Sequence, residues 1–290
     1  MKRARPSRRE LLKSAAGLVG AGLCVARPRD VRANQARFSL GACDWSIGMR
    51  GRTEALALAK ELSLDGVQVS MGSVENDLRL RQPDVQRAYR EAAAASGLRI
   101  GGVALDVMNQ VPYKSDPRTE AWVSDSIDCA RALDARVILL AFFERGDLRN
   151  DPDGQAEVVR RLTRIARKAE DRGVILGIES WLSAAEHLRI IEAVGSPNVQ
   201  VYYDVANSTQ MGYDIAAEIR QLGRQRICEF HAKENGYLLG QGKIDFPAVR
   251  KAMDDIGYSG WIQIEGAIPK GQPMRESYVE NVRYMRSVFN

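Results

Sequence analysis

Short apolar runs alternate with segments of helical periodicity eight times along this chain, and that alternation limits the fold more than any other feature. The first run spans Phe38 to Trp45. A helix is expected next over Thr53 to Leu62, with Ala55, Leu56, Leu58, Ala59 and Leu62 forming its apolar face. Asp65-Gly66 turns the chain into the second run, GVQVSMG. Pro83 opens the following helix and Gly97 closes it, the usual asymmetry of helix ends. RIGGVALDV, a helix over Pro117 to Leu133, and RVILLAFF come next. Later helices are expected over Gly154 to Asp171, Ala184 to Val194, Tyr213 to Leu222 and Phe246 to Ile256, with a terminal one over Arg275 to Phe289. Between them stand VILGIES, VQVYYDV, ICEFHAK and WIQIEGA, each read as a buried strand.

Strands apolar on both faces and separated by helices pair in parallel through right-handed crossovers. Eight such units predict an α/β fold, a single (β/α)8 TIM barrel over residues 34–290, close to the roughly 250 residues typical of that architecture. A doubly wound open sheet is the alternative, but no GxGxxG, GxxxxGKS or GxxxxGKT motif supports it.

The formal charge of +5 does not belong to this domain. Residues 1–33 hold nine Lys or Arg against two Asp or Glu, and the remainder holds 33 against 35, a net of −2. The leader contains Ser7-Arg8-Arg9-Glu10-Leu11-Leu12-Lys13, a twin-arginine pattern, then a small-residue apolar stretch from Ser14 to Ala26. It reads as an export signal with cleavage at Val31-Arg32-Ala33, or alternatively at Ala26. The expected partner is the twin-arginine machinery and the expected location is periplasmic or secreted. Leu23 precedes Cys24 where a lipoprotein signal needs a small residue, so no stable membrane anchor is expected. Cys43, Cys129 and Cys228 remain, an odd number without CxxC spacing, and are expected as buried free thiols. An oxidising compartment would permit one disulfide, whose pairing the spacing does not identify.

Near the ends of the last four strands stand Glu179, Asp204, His231 and Glu265, at intervals of 25, 27 and 34 residues. In a parallel barrel these positions meet at one mouth. Buried carboxylates need a counter-charge. Three of them with one imidazole make an oxygen-rich site for one divalent cation, Mn²⁺ first, with Mg²⁺ or Co²⁺ as alternatives. Such a cation chelated by a ketose acidifies the C–H next to the carbonyl. Glu179 and Glu265, from different strands, are the candidate acid and base for moving that proton.

The motifs GIES around Glu179, YYDVAN around Asp204, FHAKEN around His231 followed by GQGKIDFPAV, and WIQIEGA around Glu265 resemble the sugar isomerase/epimerase group of xylose isomerase-like barrels, which includes ketose 3-epimerases. The resemblance covers residues 38–289. It implies that the four residues bind one metal and that the two Glu act as acid and base. Two departures stand out. Ketose 3-epimerases commonly carry His three positions after the Asp, where this chain has Asn207, and an Arg soon after the metal-binding His, where it has Lys233-Glu234-Asn235-Gly236-Tyr237.

Substrate-binding candidates are Lys233, two positions after His231 on the same strand face, with Asn207, Gln241, Trp45 and Trp181. The two Trp would stack on a sugar ring. His187 reads as a surface residue, and Asp106 and Asn109 follow the third strand without specific support. The expected function is a metal-dependent isomerase or epimerase of an unphosphorylated sugar or sugar derivative. The alternative is an exported lyase or hydrolase of oxidised (3-keto) glycosides using the same site. A non-catalytic sugar-binding barrel, which keeps the fold without the chemistry, is the lesser reading. The net charge of −2 and only two His exclude the basic footprint and His-rich zinc site of an abasic-site nuclease, so no nucleic-acid partner is expected. A homo-oligomer is left open.

Overall fold

The structure, a computed structural model, describes residues 37–289. The leader read as an export signal, with Cys24, lies outside the described residues. Eight strands, β1 (Phe38–Cys43), β2 (Gly66–Ser70), β3 (Arg99–Leu105), β4 (Val137–Phe142), β5 (Ile175–Ser180), β6 (Val199–Asp204), β7 (Ile227–Ala232) and β8 (Gly260–Ile264), close a parallel barrel in chain order. The seam is made by β8 pairing with β1, Phe38 beside Gly260 through Ala42 beside Ile264.

Around it lie α1 (Glu54–Glu61), α2 (Pro83–Ser96), α3 (Arg118–Ala132), α4 (Pro152–Arg172), α5 (Ala184–Val194), α6 (Val205–Gln210), α7 (Ile215–Leu222), α8 (Phe246–Asp255) and α9 (Met274–Phe289). Capping sets their starts. Asp151 Oδ1 accepts the Gly154 N–H at 2.9 Å, so α4 begins at Pro152, earlier than periodicity indicates. Asp214 does the same for Ala217 at 3.0 Å, so α7 begins at Ile215 rather than Tyr213. The six-residue α6 was not expected from the sequence. Among the described residues no helix is long and apolar enough to cross a membrane, and the three described cysteines are free and buried.

Alternate residues of each strand face opposite ways. Leu40, Val67, Ile138, Leu176, Val201, Phe230 and Ile262 face the helices and build the main core. The barrel interior holds a smaller apolar cluster of Ala104, Leu139, Ala141 and Tyr202 and a polar layer of Gln68, Glu229 and Gln263, none more than 2% exposed. Gly41 makes room for that layer, since a Cβ there would lie 2.0 Å from Gln263 Oε1. A register shift pairs Val201 with Ile227 and Tyr202 with Glu229, skipping Cys228, and this bulge aims Glu229 and then His231 inward.

Candidate metal centre and active site

Each of the four strand-end residues stands two positions above an inward-facing residue: Glu179 above Gly177, Asp204 above Tyr202, His231 above Glu229, Glu265 above Gln263. They therefore form the upper layer of the interior, at the C-terminal mouth. One ligand atom from each lies within 4.8 Å of all the others. His231 Nδ1 is 2.7 Å from Glu179 Oε1, 3.5 Å from Glu265 Oε2 and 4.0 Å from Asp204 Oδ2.

Asp204 divides its carboxylate between two jobs. Oδ1 accepts the N–H groups of Ala206 at 2.7 Å and Asn207 at 3.0 Å, capping α6. Oδ2 is buried and has no hydrogen-bond partner. An unpartnered buried carboxylate oxygen facing two more carboxylates and an imidazole is what a hard divalent cation satisfies, so the donor set fits such an ion. The opposite edge of the His231 ring is fixed. Nε2 lies 2.9 Å from Gln68 Oε1, while Gln68 Nε2 donates to Tyr202 Oη at 3.0 Å and Tyr202 Oη donates to Glu229 Oε2 at 3.2 Å. With Nε2 donating to Gln68 Oε1, Nδ1 is the nitrogen turned to the carboxylates. Burial opposes the charge of the ring, but Cys43, Glu179 and Glu265 hold it protonated well above the ordinary histidine range. Nδ1 therefore donates to Glu179 Oε1, and a bound cation would take the place of that proton.

Charge in the site is uneven. Burial lifts the Glu179 carboxyl above its ordinary range, against the pull of His231. Burial works the same way on Glu265, but His231 and Lys233 and the hydrogen bonds from Lys233 and Trp45 outweigh it and hold that carboxyl low. Lys233 Nζ lies 2.8 Å from Glu265 Oε2 and 3.9 Å from Asp204 Oδ2. Trp45 Nε1 donates to Glu265 Oε1 at 2.9 Å.

Above the four residues opens a cavity of about 470 Å³ lined by both Glu, Trp45, Trp181, Asn207 and Lys233. Asp106 and Asn109 line it too, and so do Arg50 and Phe143, which the sequence reading passed over. Arg50 pairs with Asp106, whose Oδ1 accepts the Ser70 hydroxyl at 2.7 Å. Phe143 packs edge-on against Trp181 at 5.1 Å, and Arg149 covers the Trp181 ring at 4.6 Å. Only long-range pairing brings these residues together, so local pattern carried no signal for them.

Two expectations need correction. Gln241 does not line the cavity. Asn281 Oδ1 accepts the Leu239 N–H at 2.8 Å and Gly240 turns at φ +80°, which places Gln241 exposed beside α9. His187 is not a surface residue but 4% exposed, hydrogen-bonded through Nε2 to Ser180 Oγ at 2.9 Å. Its position on the inward face of α5 matches the spacing of Ile190, Ile191 and Val194.

The sequence matches the family model described as the xylose isomerase-like TIM barrel over residues 56–288. The chain belongs to that family. Within this xylose isomerase-like family it is 28% identical over 238 residues to an Escherichia coli (strain K12) protein provisionally named L-ribulose-5-phosphate 3-epimerase, covering 73% of this chain and 82% of that one. Among solved structures it resembles a D-psicose 3-epimerase crystallised in the presence of D-fructose (TM-score 0.73, 17% identity, 87% of this chain and 99% of the other). It also resembles an E. coli 3-keto-D-glucoside 4-epimerase (TM-score 0.70, 15% identity, 86% and 99%). At these identities the structures speak for the fold.

Proposed function

We propose that this barrel is a metal-dependent isomerase or epimerase that removes and returns a proton next to the carbonyl of an unphosphorylated sugar or sugar derivative. The convergence of Glu179, Asp204, His231 and Glu265 beneath one cavity, which Glu179 and Glu265 line, carries this reading. The four would hold one divalent ion, Mn²⁺ in the first instance, which when bound would polarise the substrate carbonyl and acidify the neighbouring C–H. Glu179 and Glu265 approach from β5 and β8, so one can take the proton and the other return it from a different side. Trp45 and Lys233 hold Glu265 in place from opposite oxygens. Trp181 and Phe143 offer an aromatic wall to a sugar face, and Asn207 a hydrogen-bonding amide. An unphosphorylated substrate is supported by the lining cations. Arg50 pairs with Asp106 and Lys233 with Glu265, which leaves neither as an uncompensated phosphate clamp.

A second reading keeps the site and changes the outcome. The cavity runs from the two Glu out to Gly72, Ser73 and Gln110 on the loops after β2 and β3, giving space for an aglycone. On a 3-keto glycoside the same proton removal would expel the glycosidic oxygen. Residues 1–33 would deliver the folded protein outside the cytoplasm through the twin-arginine route, where such substrates rather than sugar phosphates are expected.

Metal content of wild type and Asp204→Asn tests the site: about one divalent ion per chain, lost in the variant, is expected. NMR in D₂O over ketoses and 3-keto glycosides then separates the readings. Deuterium in an epimer supports the first, and an enone or released aglycone supports the second. The absence of a deuterated epimer and of any enone or released aglycone, with metal bound, overturns both.

A further inference from the structure

The other end of the barrel carries a cavity of about 620 Å³, opening among the starts of β3, β4, β5 and β8. Five exposed arginines line it: Arg90, Arg99, Arg131, Arg136 and Arg224. Among the described residues none of the five forms an ion pair, whereas several arginines elsewhere on the helical ring do, Arg164 with Glu120 and Arg220 with Asp255 among them. Three of the five are held in place by groups that leave their charge uncompensated. Arg99 donates to Ser39 Oγ at 2.7 Å and lies over the Trp261 ring at 4.6 Å. Arg224 donates to the carbonyls of Ile227 at 3.4 Å and Ser259 at 3.5 Å and lies over Tyr258 at 5.2 Å. Arg90 donates to the Ala132 carbonyl at 3.1 Å. Asp134 is the one exposed carboxylate on this rim. Behind it the walls are mostly apolar, formed by Ile100, Val137 and Trp261, with the buried carboxyl of Glu229 at their base, where burial pushes it up to about 8.

A guanidinium cannot shed its proton to relieve repulsion. Five of them around one concavity, in a domain whose net charge is −2 outside the leader, set up a focused positive potential. Their forked donors match carboxylate and phosphate oxygens.

We propose that the N-terminal mouth of the barrel is a second binding site, for a small anion bearing at least two carboxylate or phosphate groups. The arginine rim takes the acidic groups and the apolar wall takes the body. The proposal does not rest on the chemistry proposed at the opposite mouth.

Titration calorimetry of the full-length protein at constant ionic strength tests it. Benzene-1,3,5-tricarboxylate and 2,3-bisphosphoglycerate serve as probes and distinguish a carboxylate from a phosphate ligand. Saturable binding of one equivalent of either is expected. The pair Arg131→Gln with Arg136→Gln, whose side chains make no hydrogen bond, ion pair or cation–π contact among the described residues, should weaken it about tenfold or more with an unchanged melting temperature. Arg50→Gln, at the other mouth, should leave the affinity unaltered. No saturable binding of either probe overturns the proposal. So does binding that survives the arginine pair, or binding lost in Arg50→Gln.

Discussion

His231 Nε2 lies 2.9 Å from Gln68 Oε1, and the Gln68 amide is itself oriented by Tyr202. This contact determines which imidazole nitrogen faces the carboxylates. Gln68→Leu keeps the volume and removes the acceptor, freeing the ring to change tautomer and tilt. Metal affinity should fall by about 10–100-fold with the fold retained, measured by competition with a chelating dye. Unaltered affinity would show that the ring is held by its packing alone.

Trp45 was expected to stack on substrate, yet its indole N–H is committed to Glu265 Oε1 at 2.9 Å. Trp45→Phe keeps the aromatic wall and drops the hydrogen bond. A bond to a charged group contributes about 1.5–3 kcal/mol, so proton exchange into substrate should slow by about tenfold or more while metal content stays constant. If KM rises instead and the rate holds, Trp45 serves the substrate and not the carboxylate.

Lys233 faces Glu265 and Asp204 together. Burial opposes its charge, but those carboxylates prevail and keep the ammonium protonated well beyond the usual lysine range. Lys233→Met strands buried negative charge in the metal-free protein, which should lose roughly 3 kcal/mol in urea unfolding. Mn²⁺ should then raise the melting temperature of the variant more than that of wild type. Equal stability of the two metal-free proteins would count against the counter-ion role.

Burial pushes His187 down to about 4 from an ordinary 6.5. Between those values the unfolded chain binds a proton that the folded one refuses, so stability rises with pH through that window. The contribution is whole above pH 6.5 and falls by roughly 3 kcal/mol as the pH drops towards 4. His187→Gln should flatten the difference between pH 7 and pH 4.5 relative to wild type. An unchanged difference would assign the acid sensitivity to other groups.

The barrel was legible because its signal is local and repeated. Runs such as VILLAF and VQVYYD, apolar on both faces and spaced by amphipathic helices, admit few arrangements other than parallel strands under a helical ring. The four strand-end residues followed from the same regularity, since equal units put equal positions at one mouth. What lies beneath and around them did not follow. Gln68 looks like an ordinary strand residue until the β2 and β7 side chains meet inside the barrel, and Arg50 and Phe143 join the cavity through loops from different units. Gln241 sits near the His231 motif in sequence and away from the site in space, because the Leu239 anchor to Asn281 turns its loop outward. Periodicity determines which face of an element is buried. Only the closed sheet, with its bulge at Cys228 and its close approach at Gly41, decides which buried polar groups meet and what each can hold.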